Sequence, residues 1–262
     1  MSRGRRPRPA TGMRVWAGDR LRIVEIRRYP VKSMLGETLT AATVGPRGLD
    51  GDRLWAVRGP DGKFGSGKHT RRFRRMDGLF DFRASIGGPL AGADARTGGP
   101  VPEVELPDGR RFAADDPLGH HAISAALGHT VTLTPEAGIP HHDEGPVSII
   151  TTAGLRLLAS FGAAEPDGAP VDATRFRANL LIDSDVVEDH WAGRALHAGP
   201  EVVLRVVRPL TRCVMIDLAQ DAACAHGDLL KLLAAHHDMT FGVFATVERP
   251  GTLAVDDECF TR

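Results

Sequence analysis

Cys213 is the residue of this chain best placed to do chemistry. It stands in Arg208-Pro209-Leu210-Thr211-Arg212-Cys213-Val214-Met215-Ile216-Asp217, directly after the apolar run Val202 to Val207. A thiol beside an arginine, just past a strand end, is the setting in which sulfur acts as a nucleophile or as a ligand for a soft metal. The competing reading is a buried, inert cysteine, the commoner fate of a free thiol. Asp217 lies four positions further on. On an extended strand that even offset puts its carboxyl on the face of the cysteine, where it could deliver a proton.

Further basic and hydroxyl residues fall at expected strand ends and turns: Lys32 and Ser33, Arg53, Thr151 ahead of a helix, Arg177 and Asn179 around a turn, and Thr211 with Arg212. Singly, each reads as a solvated side chain. Together they are what an anionic ligand needs, because guanidinium forks and helix N-terminal N–H groups hold phosphate. Three adjacent histidine pairs, His120-His121, His141-His142 and His236-His237, cannot share one face of an element and are expected in solvent. His141-His142-Asp143, and separately His69, are also candidates to line a substrate mouth. Arg71, Arg72, Arg74 and Arg75 form the densest basic stretch. It suits an acidic electron-transfer partner or an anionic substrate, or is only a solvated loop. No aromatic platform accompanies it, which argues against nucleic acid.

The elements that must position these residues are mostly short strands. Leu21–Ile26 alternates, Leu39–Val44 follows, and Leu54–Arg58 and Lys63-Phe64 flank the hairpin signal Asp61-Gly62. Phe80–Ile86 alternates again. Gly87–Pro102 is glycine- and proline-rich and reads as a long loop. Val104–Leu106 and Arg111–Ala113 flank Asp108-Gly109. Later strands are expected at Val147–Ile150, Leu180–Ile182, Glu201–Val207, Val214–Leu218, Val243–Val247 and Thr252–Val255, with Pro209 ending the fourth-last of these runs because proline offers no N–H to a sheet. Three helices are predicted. One is capped by Asp116 and closed by Gly128, one runs over Ala153–Phe161 behind Thr151 or Thr152, and one spans about Asp228–His237. Trp191 is expected in the core. The pattern is α+β and β-dominated, with no βαβ alternation, and the short strands suggest a small barrel or sandwich.

Composition narrows the function classes. Lys+Arg and Asp+Glu both number 33, so net charge provides no pull toward nucleic acid or membrane. No apolar run reaches membrane-spanning length. The basic, proline-rich residues 1–19 read as a disordered tail without the apolar segment of a secretory signal. The three cysteines form no C-x-x-C pair, against structural zinc and iron–sulfur centres, and suit a reducing cytoplasm.

Five segments carry a likeness to a known family. They are Tyr29-Pro30-Val31-Lys32-Ser33, Gly48-Leu49-Asp50-Gly51-Asp52-Arg53-Leu54-Trp55, Arg175-Phe176-Arg177-Ala178-Asn179, Thr211-Arg212-Cys213 and Pro250-Gly251-Thr252. From Leu21 to Glu258 the chain resembles the MOSC family, the molybdenum-cofactor sulfurase C-terminal domain with its companion N-terminal domain. Its organisation is similar to that of the amidoxime-reducing components and their bacterial relatives. The resemblance implies a MOSC-type β-barrel over 137–260, a smaller N-terminal β-barrel domain over 20–136, and a few short helices. It implies Cys213 as the ligand of molybdenum. Lys32, Ser33, Arg53, Thr151, Arg177, Asn179, Thr211 and Arg212 would hold the molybdopterin and its phosphate. The implied activity is reduction of N-hydroxylated compounds, fed by an external donor such as a ferredoxin or a flavoprotein reductase. The alternatives are a carrier of molybdenum cofactor without turnover, or a sulfur-transfer protein with a persulfide on Cys213. One departure stands out: where relatives often carry serine, this chain has Thr151-Thr152-Ala153-Gly154.

Overall fold

The computed structural model describes residues 21–87, 99–221 and 223–262. The tail expected over 1–19 and most of the loop expected over 87–102 lie outside them. In chain order the strands and helices are β1 (Leu21–Arg28), β2 (Val31–Lys32), β3 (Glu37–Leu39), β4 (Ala41–Gly45), β5 (Gly48–Leu49), β6 (Trp55–Arg58), β7 (Phe64–Ser66), β8 (Phe73–Arg75), β9 (Arg83–Ser85), β10 (Glu103–Glu105) and β11 (Arg111–Ala113). They continue with α1 (Pro117–Leu127), β12 (Thr132–Pro135), β13 (Val147–Thr151), α2 (Thr152–Ser160), β14 (Leu180–Asp183), β15 (Ala195–Ala198), β16 (Val202–Thr211), α3 (Leu229–His236), β17 (Thr240–Arg249), β18 (Gly251–Ala254) and β19 (Glu258–Thr261).

The larger sheet closes on itself in the order β14-β13-β17-β16-β15-β19-β1, with β1 returning to β14 and β3 added beside β1. Closure removes the open edges that an isolated sheet would expose. Its interior holds Ile23, Ile26, Ile149, Leu180, Leu204 and Val243 among others, with Trp191 packed in the same core as expected. β1, the first strand of the described chain, thus belongs to the barrel built mainly by the C-terminal half. Its alternation is re-phased by a register shift between Ile23 and Glu25. That shift lets Ile23 and Ile26, an odd three residues apart, both face the core.

The second body pairs β12-β6-β7-β8, with β2 beside β6, and a three-stranded sheet β11-β10-β9. α1 closes it through Ile123 and Leu127, packed with Trp55, Val57, Phe82 and Leu133. Asp116 accepts the Leu118 N–H and Gly128 ends the helix in the left-handed region (φ 66°), as the sequence signals predict.

Four expectations are corrected. Thr40 splits Leu39–Val44 into β3, which pairs with β1, and β4, which pairs with β18. The first part of Phe80–Ile86 is a 3-10 turn at Leu79–Asp81, so its alternating burial is only partly strand. β13 and β14 run parallel with α2 between them, a βαβ unit where none was expected. Pro209 lies inside β16 opposite Val243. The proline is tolerated because β15 pairs only with Val202–Arg205 and the backbone of Arg194 and Gly193 extends that pairing only to Val206; beyond it no strand among the described residues pairs on that side of β16, and the register with β17 is already shifted there.

The segment ahead of β13 packs closely on β5. Gly48 has φ +102°, and a Cβ there would lie 2.1 Å from the Pro146 carbonyl oxygen. Gly48→Ala is therefore expected to cost about 2–4 kcal/mol, because both the backbone conformation and the contact are forbidden. A urea titration would read this as a lower midpoint with unchanged slope.

Candidate functional site

β16 carries Thr211 to the end of the barrel, and Arg212 and Cys213 follow it. Cys213 then opens a 3-10 turn over Val214–Asp217, its carbonyl accepting the Ile216 N–H at 3.2 Å. The strand expected over Val214–Leu218 is therefore absent, and the face-sharing deduced for Asp217 goes with it. Asp217 Oδ1 instead accepts the N–H groups of Leu229 (2.8 Å) and Leu230 (3.3 Å) at the start of α3. The turn tightens the chain because Ile216 must reach the apolar layer formed with Leu229, Leu233 and Phe241.

Cys213 opens onto a cleft of about 310 Å³ between the two bodies. One wall holds Lys32, Ser33, Arg53, Ser66 and Lys68, and the loop His142–Gly145 closes one side. The barrel supplies Arg177, Leu210–Cys213, Met215 and Phe244. Seven of the residues singled out from the sequence thus meet here: Lys32, Ser33, Arg53, Arg177, Thr211, Arg212 and Cys213. Ser33, Arg53 and Arg177 all have left-handed backbones (φ 67°, 52° and 51°). Such conformations are costly for non-glycine residues and concentrate at ligand clamps.

Two other candidates are drawn away by the fold itself. Thr151 is fully buried; its hydroxyl accepts the Gly154 N–H at 2.9 Å and donates to Glu188. The N-terminus of α2, expected to receive a ligand phosphate, is met by this protein's own carboxyl group. A Cβ on Gly154 would fall 2.6 Å from Glu188 Oε2, so a serine at this position would have no room in this arrangement. Asn179 is likewise interior. Its Oδ1 accepts from the Ser148 N–H and hydroxyl, and its Nδ2 donates to the Arg27 carbonyl.

The histidine pair at 141 and 142 is also not in solvent. His141 is fully buried, edge-on to Phe64 with ring centroids 5.1 Å apart. His142 and Asp143 do line the cleft, whereas His69 is exposed and does not. In the basic stretch, Arg74 pairs with Asp61 and Arg75 with Asp77.

Lys68 is a charged cleft residue that the sequence did not single out. Its Nζ lies 3.9 Å from Cys213 Sγ and 4.7 Å from the Phe73 ring centroid. The two residues are 145 positions apart in the chain, and nothing local relates them.

Electrostatics define what the cleft accepts. Lys32 donates to the His141 carbonyl (2.7 Å) and to Asp143 Oδ1 (2.8 Å). Burial lowers its pKa to about 8 against the support of Asp143. Arg177 donates Nη2 to the Met34 carbonyl at 2.7 Å, and Arg212 donates Nε and Nη1 to the carbonyls of Phe241 (2.7 Å) and Phe176 (2.9 Å). Neither forms an ion pair among the described residues. Arg177 Nη1 and Arg212 Nη2 are buried with no hydrogen-bond partner there. Burial depresses both guanidiniums to about 10. Buried charge without a counter-charge is strongly unfavourable, so these two N–H groups fit an incoming anion. The thiol of Cys213 adds a soft donor in the same space. The donor set suits an anionic group that carries a sulfur-loving metal. Among the described residues no cluster of three His, Cys, Asp or Glu could hold a metal ion by itself. No helix among them is long and apolar enough to cross a membrane.

Two further buried groups, Glu188 and His141, contribute a pH dependence to stability. Burial raises Glu188 from 4.5 to about 7, so between those values the folded state holds a proton the unfolded chain has released. Its stabilising contribution is complete below pH 4.5 and is lost as pH rises through 7. Burial lowers His141 from 6.5 to about 4, so stability falls as pH drops from 6.5 toward 4. Each slope integrates to about 3 kcal/mol. Glu188→Gln is expected to be more stable than the parent above pH 7 by up to that amount, and to keep the acid-side fall. Denaturant melts from pH 4 to pH 8.5 would read it.

Two family models match the chain, the MOSC domain over residues 136–259 and the MOSC N-terminal beta barrel domain over residues 20–77. Among solved structures, the chain is similar to the YuaD protein from Bacillus subtilis, at 14% identity and a TM-score of 0.45, over 92% of this chain and 96% of that one. It is also similar to YiiM from Geobacillus stearothermophilus, at 16% identity and a TM-score of 0.34, over 45% of this chain and 54% of that one. No curated protein matches the sequence.

Proposed function

Because the chain belongs to the MOSC domain family, we propose that it binds a molybdenum cofactor through Cys213 and uses it as an oxidoreductase on N-hydroxylated compounds. The observation that carries this reading is the pair of buried guanidiniums, Arg177 and Arg212, each with one N–H group unpartnered among the described residues, on residues that line one cleft with Cys213. Cys213 Sγ would hold the metal. Lys32, Ser33, Arg53, Arg177, Thr211 and Arg212 would hold the pterin and its phosphate.

When bound, the cofactor supplies two-electron chemistry that side chains cannot perform. The overall reaction takes up two electrons and two protons, breaks the N–O bond, and releases the reduced nitrogen compound and water. The electrons come from an external donor, a ferredoxin or a flavoprotein reductase. The chain's own residues bind, orient and manage protons. The guanidiniums would hold the anionic end of the cofactor, supplying N–H donors in place of water. Lys68 Nζ places a positive charge beside Sγ. With Asp217 committed to α3, the proton-exchanging groups left at the cleft include Lys32, His142 and Asp143, beside Lys68 and Glu144. Lys32 Nζ shares its proton with Asp143 Oδ1. The three free cysteines agree with work in a reducing cytoplasm.

The test is production in a host that makes molybdopterin, followed by metal and phosphate analysis and by reduction of benzamidoxime with a chemically reduced viologen as donor. Molybdenum and phosphate near one per chain, with turnover, are expected. Loaded protein without turnover would make it a carrier of the cofactor. Protein from such a host lacking both molybdenum and phosphate would overturn the reading.

A further inference from the structure

Tyr29 is the chain's one tyrosine. It does not line the cleft, and no step described above uses it. The residue is 3% exposed, and its Oη has no hydrogen-bond partner among the described residues. Two cations of the cleft lie on that ring. The guanidinium carbon of Arg53 is 4.9 Å from the ring centroid and that of Arg177 is 4.3 Å away. The backbone of Tyr29 holds the same residues: its N–H donates to Asp52 Oδ1 at 2.8 Å, and its carbonyl accepts the Arg53 N–H at 2.7 Å. Asp52 in turn pairs with Arg53, and Arg53 Nη2 donates to the Arg177 carbonyl at 2.9 Å.

Two like charges on neighbouring side chains repel and would splay apart in water. Here both also have left-handed backbones, which a non-glycine residue adopts only when its surroundings demand it. A π face attracts a guanidinium most strongly when both are shielded from water, and it stacks on the flat cation without using its N–H donors. One ring that touches both cations offsets their repulsion and leaves N–H groups free to point elsewhere. That accounts for how Arg177 can remain buried with Nη1 unpaired.

We propose that Tyr29 is a positioning residue, whose ring locks Arg53 and Arg177 side by side as one preformed anion clamp. The inference rests on the anion-binding reading of the cleft. It goes beyond it by assigning the geometry of the clamp to a residue that touches no ligand. The ring does the work, and the hydroxyl is dispensable.

The test uses the full-length protein purified free of cofactor, with inorganic phosphate as the probe and titration calorimetry as the readout. Each protein is measured well below its own melting temperature. Tyr29→Phe keeps the ring and is expected to bind phosphate within about threefold of the parent. Tyr29→Leu removes the ring and is expected to bind at least about tenfold more weakly. A purely structural role would lower the melting temperature of Tyr29→Leu yet leave the affinity of the folded fraction unchanged, and that result would overturn the proposal. So would a Tyr29→Phe protein as weak as Tyr29→Leu, which would shift the role to the hydroxyl. Should Tyr29→Leu not fold, Arg53→Lys serves instead: it keeps the charge but loses the planar group that stacks, and a tenfold or greater loss is expected, with parent affinity overturning the assignment. A parent protein that binds no phosphate would overturn both this inference and the anion-binding reading, a pattern distinct from failure of the variants alone.

Discussion

Cys213→Ala is expected to lose molybdenum by more than about 100-fold relative to the parent prepared in parallel, and to lose all N-hydroxy reduction with it. The thiol is half-exposed at the cleft, and its side chain caps no helix, so its removal takes away no packing on which the barrel depends. The variant should therefore melt like the cofactor-free parent and still bind phosphate, because every cationic group of the cleft is intact. Metal analysis after gel filtration and phosphate titration read the two halves separately. Equal molybdenum in both proteins would remove Cys213 from the site. Loss of phosphate binding as well would mean that the thiol supports the fold of the cleft rather than the metal.

Arg177→Met should show the converse. Phosphate affinity is expected to fall by about 10- to 100-fold, the effect of losing charge-assisted hydrogen bonds to an anion. Stability of the cofactor-free protein should change by less than about 1 kcal/mol. The reason is that two effects oppose. The Met34 carbonyl loses its donor, which is unfavourable. At the same time a buried guanidinium without a counter-ion is removed, and its depressed pKa of about 10, caused first by burial, marks how poorly its protein surroundings support that charge. An arginine kept for the fold would behave otherwise: breaking a buried ion pair costs several kcal/mol, as expected for Arg175, which is fully buried and paired with Glu165. Denaturant unfolding beside phosphate titration distinguishes the two cases. A large stability loss with unchanged affinity would make Arg177 a structural residue.

Position in the cleft also explains which parts of the site could be read early. Lys32, Ser33, Arg53, Arg177, Thr211, Arg212 and Cys213 sit at strand ends and turns, the last four at the end of the closed barrel and the first three on the second body that faces it across the cleft. Thr151 and Asn179 have the same residue chemistry and comparable placement, yet they look inward. Glu188 reaches the hydroxyl of Thr151, and Ser148 takes Asn179 Oδ1. Both partners are remote in sequence. Side-chain direction over such distances depends on which strand ends up adjacent, and no local pattern encodes it. Asp217 failed for a different reason. Four residues of mixed polarity after the cysteine were compatible with strand or turn, and the demand that Ile216 join the layer under α2 and α3 selected the turn.

Local chemistry alone determined the hairpins at Asp61-Gly62 and Asp108-Gly109, the caps of α1 and α2, and the apolar faces that make this a β-dominated chain with few helices. These depend on interactions within a few residues, so the order of amino acids suffices to specify them. Tertiary structure decided the rest: that β1 closes the C-terminal barrel, that Pro209 is tolerated within β16, that Lys68 comes beside Cys213, and that Tyr29 lies under two arginines. Each of these is a contact between segments far apart in the chain. Such contacts arise from the register and closure of the whole sheet, which burial of the common core selects, and no short stretch of sequence contains that information.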